Sequence, residues 1–339
     1  MKLKLISNLT NNSITKNRIE NQFSIFFSSK QKKFLLVFIN SFSIQNIFFE
    51  LFDIFSHQSI FRMNKIHNKR IISIRTYKIN NKNILITNSY DNSIKTFDIE
   101  NGIHLFTITK AHDCDDLNYF FVSSCCFFKY LNENVLISAC WNDNYLKMWN
   151  FDKKGEFIKK FCECKNIWLI DYFNNKNNKN FDKNFNNFSN ENKNFSHDFN
   201  NEFIIVCGNL YIRSFYLNGE LFKEYDSKFN SSFIIENNKN LIVSCFEFIK
   251  IFDFFSGELL NEIYCGIDLC GICMYKKFII CGGYDFNIHL FDYEKKIYLE
   301  KIIEHLNVVT TVKIIYFNNN YYLISHSKEG LIKLWLINE

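Results

Sequence analysis

The chain has 339 residues, 47% of them hydrophobic and 18% aromatic, with a net charge of +5 when histidine is neutral. That apolar content is too high for a disordered chain and is enough for one large domain or two ordinary ones. The lysines are scattered through Asn-rich stretches and form no basic stripe, so nucleic-acid binding is not expected.

The N-terminal stretch "MKLKLISNL" is charged, with only a short apolar core, and lacks the pattern of a secretory leader. Residues 34–55 are the most hydrophobic neighbourhood. Asn40, Ser41, Gln45, Asn46, Glu50 and Asp53 interrupt it, so it does not reach the roughly 20 apolar residues of a membrane helix. The sequence therefore predicts a protein of a reducing compartment, cytoplasmic or nuclear. On that reading the 12 cysteines are thiols and form no disulfide framework. "CEC" (162–164) places two thiols on one face of a strand. "CGIC" (270–273) lies in an apolar strand, where residues three apart face opposite ways. Neither has the second pair that a zinc site needs, and no metal or cofactor is expected.

From Ile71 onward the chain reads as short apolar segments separated by turns. "RIISIRTY", "ILITNS", "SIKTFDI" and "IHLFTIT" have strand length and β-branched or aromatic character. The same four-segment order returns from Phe120 to Phe161 and from Leu269 to Ile303. Aligning the ends of the third segments gives seven copies: Phe52-Asp53, Phe97-Asp98, Trp149-Asn150, Phe215-Tyr216, Phe252-Asp253, Phe291-Asp292 and Trp335-Leu336. Residues 174–202, rich in Asn and Lys, read as a low-complexity disordered insertion in the fourth copy. Without it the repeat averages roughly 44 residues, the length of a four-stranded propeller blade. The fold expected is all-β: a single seven-bladed β-propeller over 1–339, with four-stranded antiparallel blades. The seventh copy stops after its third strand, and "KLKLISNL" (2–9) supplies an unpaired strand. The two are expected to pair and close the ring.

The segments "ITNSYDNSIKTFD", "KAHD" with "ISACWNDNYLKMWN", and "IEHLN" with "LISHSKEGLIKLW" resemble the WD-repeat propellers, the family of the G-protein β subunit. The resemblance covers the whole chain and is weakest in the first, fourth and fifth copies. It implies hydrogen-bonded sets of a loop His, a Ser or Thr on the second strand, a turn Asp and a third-strand Trp. Here these are His112, Ser138, Asp143 and Trp149; His305, Ser325, Trp335 and, at the Asp position, Glu329; and His67, Thr87 and Asp91 with Phe97 in place of Trp. Asn142 competes with Asp143 for the turn position. The family's "S-P-D-G" turns are replaced by "INNKN", "YLNEN", "ENNKN" and "YFNNN", which is workable because Asn tolerates the left-handed backbone.

Family members use the residue before the turn Asp to contact partners, which here points to Tyr90, Trp141 or Asn142, Tyr284 and Lys328. No paired acids, metal-spaced histidines or phosphate-binding glycine loop accompany them. The function expected is a non-catalytic scaffold: a monomeric propeller serving as a subunit of an intracellular multiprotein complex. The alternative is a phosphoinositide- or peptide-reading module, although the chain contains no Arg-Arg pair of the kind that phosphoinositide-binding propellers carry.

Overall fold

The computed structural model describes residues 1–9, 22–28, 30–40, 47–113, 121–164, 166–175, 202–208, 210–228, 230–236, 239–328 and 330–338. Among them every regular element is a strand. Blade one holds β2 (Gln22–Ser28), β3 (Lys33–Asn40), β4 (Phe48–Asp53) and β5 (Ser59–Asn64). Blade two holds β6 (Ile71–Ile79), β7 (Lys82–Ser89), β8 (Ile94–Asp98) and β9 (Ile103–Ile108), and blade three β10 (Val122–Tyr130), β11 (Glu133–Cys140), β12 (Tyr145–Asn150) and β13 (Glu156–Glu163). Blade four holds β14 (Ile167–Asn174), β15 (Glu202–Gly208), β16 (Ile212–Tyr216) and β17 (Leu221–Tyr225). Blade five holds β18 (Asn230–Glu236), β19 (Asn240–Cys245), β20 (Phe248–Asp253) and β21 (Leu259–Tyr264). Blade six holds β22 (Leu269–Tyr275), β23 (Phe278–Gly283), β24 (Asn287–Asp292) and β25 (Ile297–Ile303). Blade seven is β26 (Val309–Phe317), β27 (Asn320–Ser327) and β28 (Ile332–Asn338), completed by β1 (Lys2–Asn8).

Every blade is an antiparallel sheet, in chain order except where β1 takes the outer edge of blade seven, and the seven Phe/Trp pairs aligned in the sequence all fall on third strands. First strands of successive blades pack on one another, as β6 does on both β2 and β10, so they line the axis. Second strands are covered on both faces by neighbouring blades. This is why β7 and β15 are almost wholly buried and read as unbroken apolar runs. Fourth strands lie at the rim, and β5 and β25 are mostly exposed along their length.

The core is divided among the blade interfaces, one cluster to each. Leu35 and Phe49 of blade one meet Leu85 and Phe97 of blade two. Ile137 and Met148 of blade three meet Ile170 and Val206 of blade four. Leu36 and Ile54 of blade one meet Ile324 and Leu334 of blade seven, which completes the circle. Blades six and seven come close enough that a Cβ at Gly271 would stand 2.8 Å from the Thr310 carbonyl.

The ring closes through β1, which runs antiparallel to β28 with Leu3 opposite Ile337 and Leu5 opposite Trp335. Leu3 and Leu5 pack on the cluster between blades six and seven, while Leu9 joins the cluster between blades seven and one. The Leu9 amide also donates to the Ile332 carbonyl at 2.8 Å.

The hairpins between first and second strands bear out the turn reading. Asn80 and Asn81 have φ of 48° and 62°, and Asn318 and Asn319 have 48° and 61°. Two successive left-handed residues make the tight turn whose twist matches the strands. Leu131 and Asn132 do the same at 49° and 67°, with Leu131 in a conformation that favours Asn or Gly. Residues 237–238 of "ENNKN" lie outside the described residues, as does the Asn-rich stretch 176–201 that β14 and β15 flank.

Deletion of residues 1–9 exposes the backbone edge of β28 and uncovers two interface clusters. The melting temperature should fall cooperatively for the whole domain, as read by circular dichroism. A deletion protein that melts like the full chain would contradict β1 as the closing strand.

Candidate interaction site at the mouth of the channel

Three buried hydrogen-bonded sets pin the loops of this face. His112 Nδ1 lies 2.7 Å from Asp143 and Nε2 lies 2.8 Å from the Ser138 hydroxyl. A carboxylate only accepts, so Nδ1 carries the proton and Nε2 accepts from Ser138. Trp149 donates its indole N–H to the same hydroxyl at 2.8 Å. Asp143, not Asn142, takes the turn position, and it also receives the Tyr145 amide at 3.1 Å while Asn142 is exposed.

In blade two His67 Nδ1 donates to Asp91 at 3.0 Å and Nε2 accepts from Thr87 at 2.8 Å. The set ends there, because Phe97 stands at the indole position and packs edge-on against Phe49. In blade seven His305 Nε2 lies 2.7 Å from Ser325, which accepts the Trp335 indole N–H at 2.8 Å. Glu329 lies outside the described residues.

Blade six holds a variant that sequence reasoning missed. His289, on β24 itself, donates Nε2–H to the turn residue Asp285 at 2.8 Å. Cys281, opposite it, occupies the strand position of Ser138. The signal was present in "YDFNIHLFD", where the His follows the Asp by four residues. Blades four and five carry Val206 and Val243 at the Ser position, which need no polar partner.

These constellations have the connectivity of a Ser-His-Asp triad, but not its exposure. Ser138 is fully buried and its oxygen is occupied by Trp149, so no substrate carbonyl reaches it. Burial pushes the His67 and His112 imidazoles down, and their aspartates only partly offset this. Burial alone would raise the Asp91 carboxyl; the hydrogen bond and charge of His67, with Ser93 and the Asn68 amide, outweigh it and hold the group well below the usual carboxylate range. Asp143 is held down in the same way by His112 and Lys147.

Above these pins the channel opens into a cavity of about 960 Å³ lined by first strands and by turns between second and third strands. Tyr90, Tyr284 and Lys328 all line it. Trp141 stands just behind, its ring 4.1 Å from that of Trp168 and stacked at 6.5 Å on Phe121, which in turn lies 4.7 Å from Tyr90. An arc of four aromatic rings thus runs from blade two to blade four.

Across the mouth, Phe246 and Tyr284 are about half exposed, at 51% and 49%, and Trp168 is exposed by 46%. Phe246, from the turn of blade five, fits the same pattern as Tyr90 and Tyr284: an aromatic directly before an acid. Trp168 was hidden for another reason, and Phe121 lies just before β10, in no repeat position that the sequence marks. Six first strands carry a register shift near their start: Ile71/Ser73, Val122/Ser124, Ile167/Leu169, Asn230/Ser232, Leu269/Ile272 and Val309/Thr311. Such a bulge leaves one residue unpaired and re-aims its side chain. In blade four that residue is Trp168, and Ile72, Ser123 and Thr310 of the other bulges also line the cavity.

Deeper in the channel Arg75 reaches from blade two to blade four. It donates to Asp171 at 3.0 Å and to the Ile170 carbonyl at 2.8 Å. Lys313 of β26 faces the same space. Elsewhere, the "CEC" sulfurs lie 3.9 Å apart, and all eleven described cysteines are free thiols. No protein-family model matches the chain, and no curated protein is significantly similar to it in sequence.

Two outcomes test the pins. Ser138→Ala leaves both an imidazole nitrogen and an indole N–H buried without a partner and should cost about 3 kcal/mol in urea unfolding; Thr87→Val strands one group and should cost about 1–2 kcal/mol. Equal losses would contradict the ordering. The second outcome concerns pH. His67 and His112 have folded pKa values below the unfolded value of about 6.5, so the stability from keeping them neutral is complete above that pH and is lost as pH falls below it. Asp91 and Asp143, also depressed, contribute above about pH 4 and lose stability as pH falls further. The melting temperature should therefore decline from about pH 6.5 downward, and the double variant His67→Asn/His112→Asn should flatten the upper part of that decline.

Proposed function

We propose that this chain is a non-catalytic platform of the WD-repeat type, working in a reducing intracellular compartment, that holds another protein at the mouth of its channel. The observation that carries the reading is the ring of half-exposed aromatics contributed by several blades around one cavity. Rigid aromatic side chains bury large areas at little entropic cost and dominate binding hot spots. A seven-sheet ring gives them a fixed spacing, since each is held by a strand end or by a turn anchored beneath. The WD-repeat assignment rests on the full His112, Ser138, Asp143 and Trp149 set of blade three and on the partial sets of blades two and seven. The non-catalytic reading rests on the burial of those same residues, which spends the chain's most reactive groups on structure. Free, mostly buried thiols agree with a reducing compartment.

Affinity purification of the tagged chain from its native cell, followed by mass spectrometry, tests this. A stoichiometric protein partner should be recovered with the wild-type chain and lost from Trp168→Ala/Tyr284→Ala. A partner retained in full by that folded variant would move the site elsewhere on the ring.

A further inference from the structure

Two sulfurs differ from the other thiols of the chain. Cys162 lies near the end of β13 and Cys164 just beyond it, with their Sγ atoms 3.9 Å apart. The ladder shifts there by one residue, from Lys147 opposite Lys160 to Tyr145 opposite Glu163, so Phe161 and Cys162 face the single Leu146. Such a bulge bends the strand and re-aims its side chains. Cys162 is part exposed, and Cys164 is buried in the cluster between blades three and four.

Arg213 of β16 is the cation beside them. Glu224 holds its guanidinium at 2.6 Å, and the centre of the Tyr211 ring lies 4.4 Å from it. The hydrogen bond from Cys162, and then Arg213, hold the Cys164 thiol down against the opposing effect of burial. The same hydrogen bond pushes Cys162 up, so the pair gives up one proton readily and the second with difficulty. At Cys126, Cys207 and Cys273, by contrast, burial pushes the thiol up. A thiolate beside a cation is the form that reacts.

We propose that Cys162 and Cys164 are a redox site, which a peroxide closes into an internal disulfide that shifts β14 and Trp168. The anion of the pair attacks one peroxide oxygen, forming a sulfenic acid and releasing hydroxide, which takes up the proton the pair had lost. The second thiol then attacks the sulfenic sulfur, and its proton leaves with the hydroxyl group as water. Two thiols lose two electrons, one peroxide gains them, and two waters form. Residues two apart on a strand stand about 6.6 Å apart at Cα, near the upper limit for a disulfide, so this bond is strained and readily reduced. The pair therefore rests as thiols in a reducing compartment and closes under oxidant. Cys164 packs with Ile167 and Ile170 of β14, and its amide donates to the Asn144 carbonyl at 2.8 Å. Drawing its sulfur toward Cys162 pulls on the short connection to β14, whose second residue is Trp168. This holds whatever the mouth binds.

Peroxide treatment of the full chain, followed by alkylation and trypsin digestion, tests the site. The peptide 161–165 should be recovered unalkylated and lighter by two hydrogens, closing about tenfold faster than any other thiol is lost. Dithiothreitol should reopen it. Tryptophan emission should change on closure and recover on reduction, and that change should be absent from Cys162→Ser and from Trp168→Phe. Arg213→Gln should slow closure about threefold or more while melting like the wild type, and it reads the site even if the cysteine variant does not fold. Thiols still free at 162 and 164 after other cysteines have oxidised would overturn the proposal. Disulfide-linked dimers, or a sulfinic acid in place of the internal bond, would overturn it too. Closure with unchanged emission, or with a change that survives Trp168→Phe, would overturn the link to the mouth. Protection of both thiols from alkylation by zinc ions, without closure under peroxide, would assign the pair to a metal and overturn the redox reading.

Discussion

Every blade of this protein has two faces to bury, and only its two neighbours can cover them. A four-stranded sheet with runs such as "ILIT" and "FIIVC" on its second strands would be insoluble alone, because both sides of those strands are apolar. The ring is the arrangement that covers all seven sheets at once, and it holds only if the last interface is made. That interface depends on β1, drawn from the far end of the chain, pairing with β28 while Leu3, Leu5 and Leu9 enter clusters on both sides of blade seven. Closure is therefore the constraint on which the other contacts rest. It also brings the chain's earliest and latest segments together, a contact of high sequence separation that favours late assembly.

The buried imidazoles do a second job. Apolar packing between blades is non-directional, whereas the loops at the channel mouth need fixed positions. A His held between a carboxylate and a hydroxyl, with the hydroxyl also receiving an indole N–H, is directional and fully satisfied, so it fixes a loop to a strand. Blade three holds the whole arrangement, blade two its carboxylate and hydroxyl, and blade seven its hydroxyl and indole, while blade six joins His289 to Asp285. Where blades four and five carry Val206 and Val243, the slot is filled by packing and no polar group is stranded.

The mouth owes its character to departures from regular pairing. An inner strand without a bulge would alternate strictly, and its side chains would divide between neighbouring blades. The register shifts at the starts of first strands turn Ile72, Ser123, Trp168 and Thr310 toward the axis, Trp168 the largest of them. Around it, turn residues from other blades add Tyr90, Phe246, Tyr284 and Lys328, and Arg75 spans from blade two to blade four below. A rigid ring with an irregular inner edge can present a specific surface without any moving part.

Much of this was legible in the chain itself. Hydrophobic segment length, the seven Phe/Trp-ended third strands and the Asn-rich turns follow from local preferences that act within a few residues, so the blade count, the strand order and the left-handed hairpins at Asn80-Asn81 and Asn318-Asn319 could be read directly. The partners of His67 and His112 were legible too, because their spacing repeats with the blade. What the sequence could not give were contacts made across blades or created by a shift of register. Trp168 looks like an ordinary strand residue until a one-residue bulge turns it to the channel, and Arg75 shows no partner in the sequence because Asp171 is two blades away. Local sequence determines which strands form, since each is stabilised by its own pattern. Only the closed ring decides which side chains converge on the axis, since that depends on the mutual placement of sheets far apart along the chain.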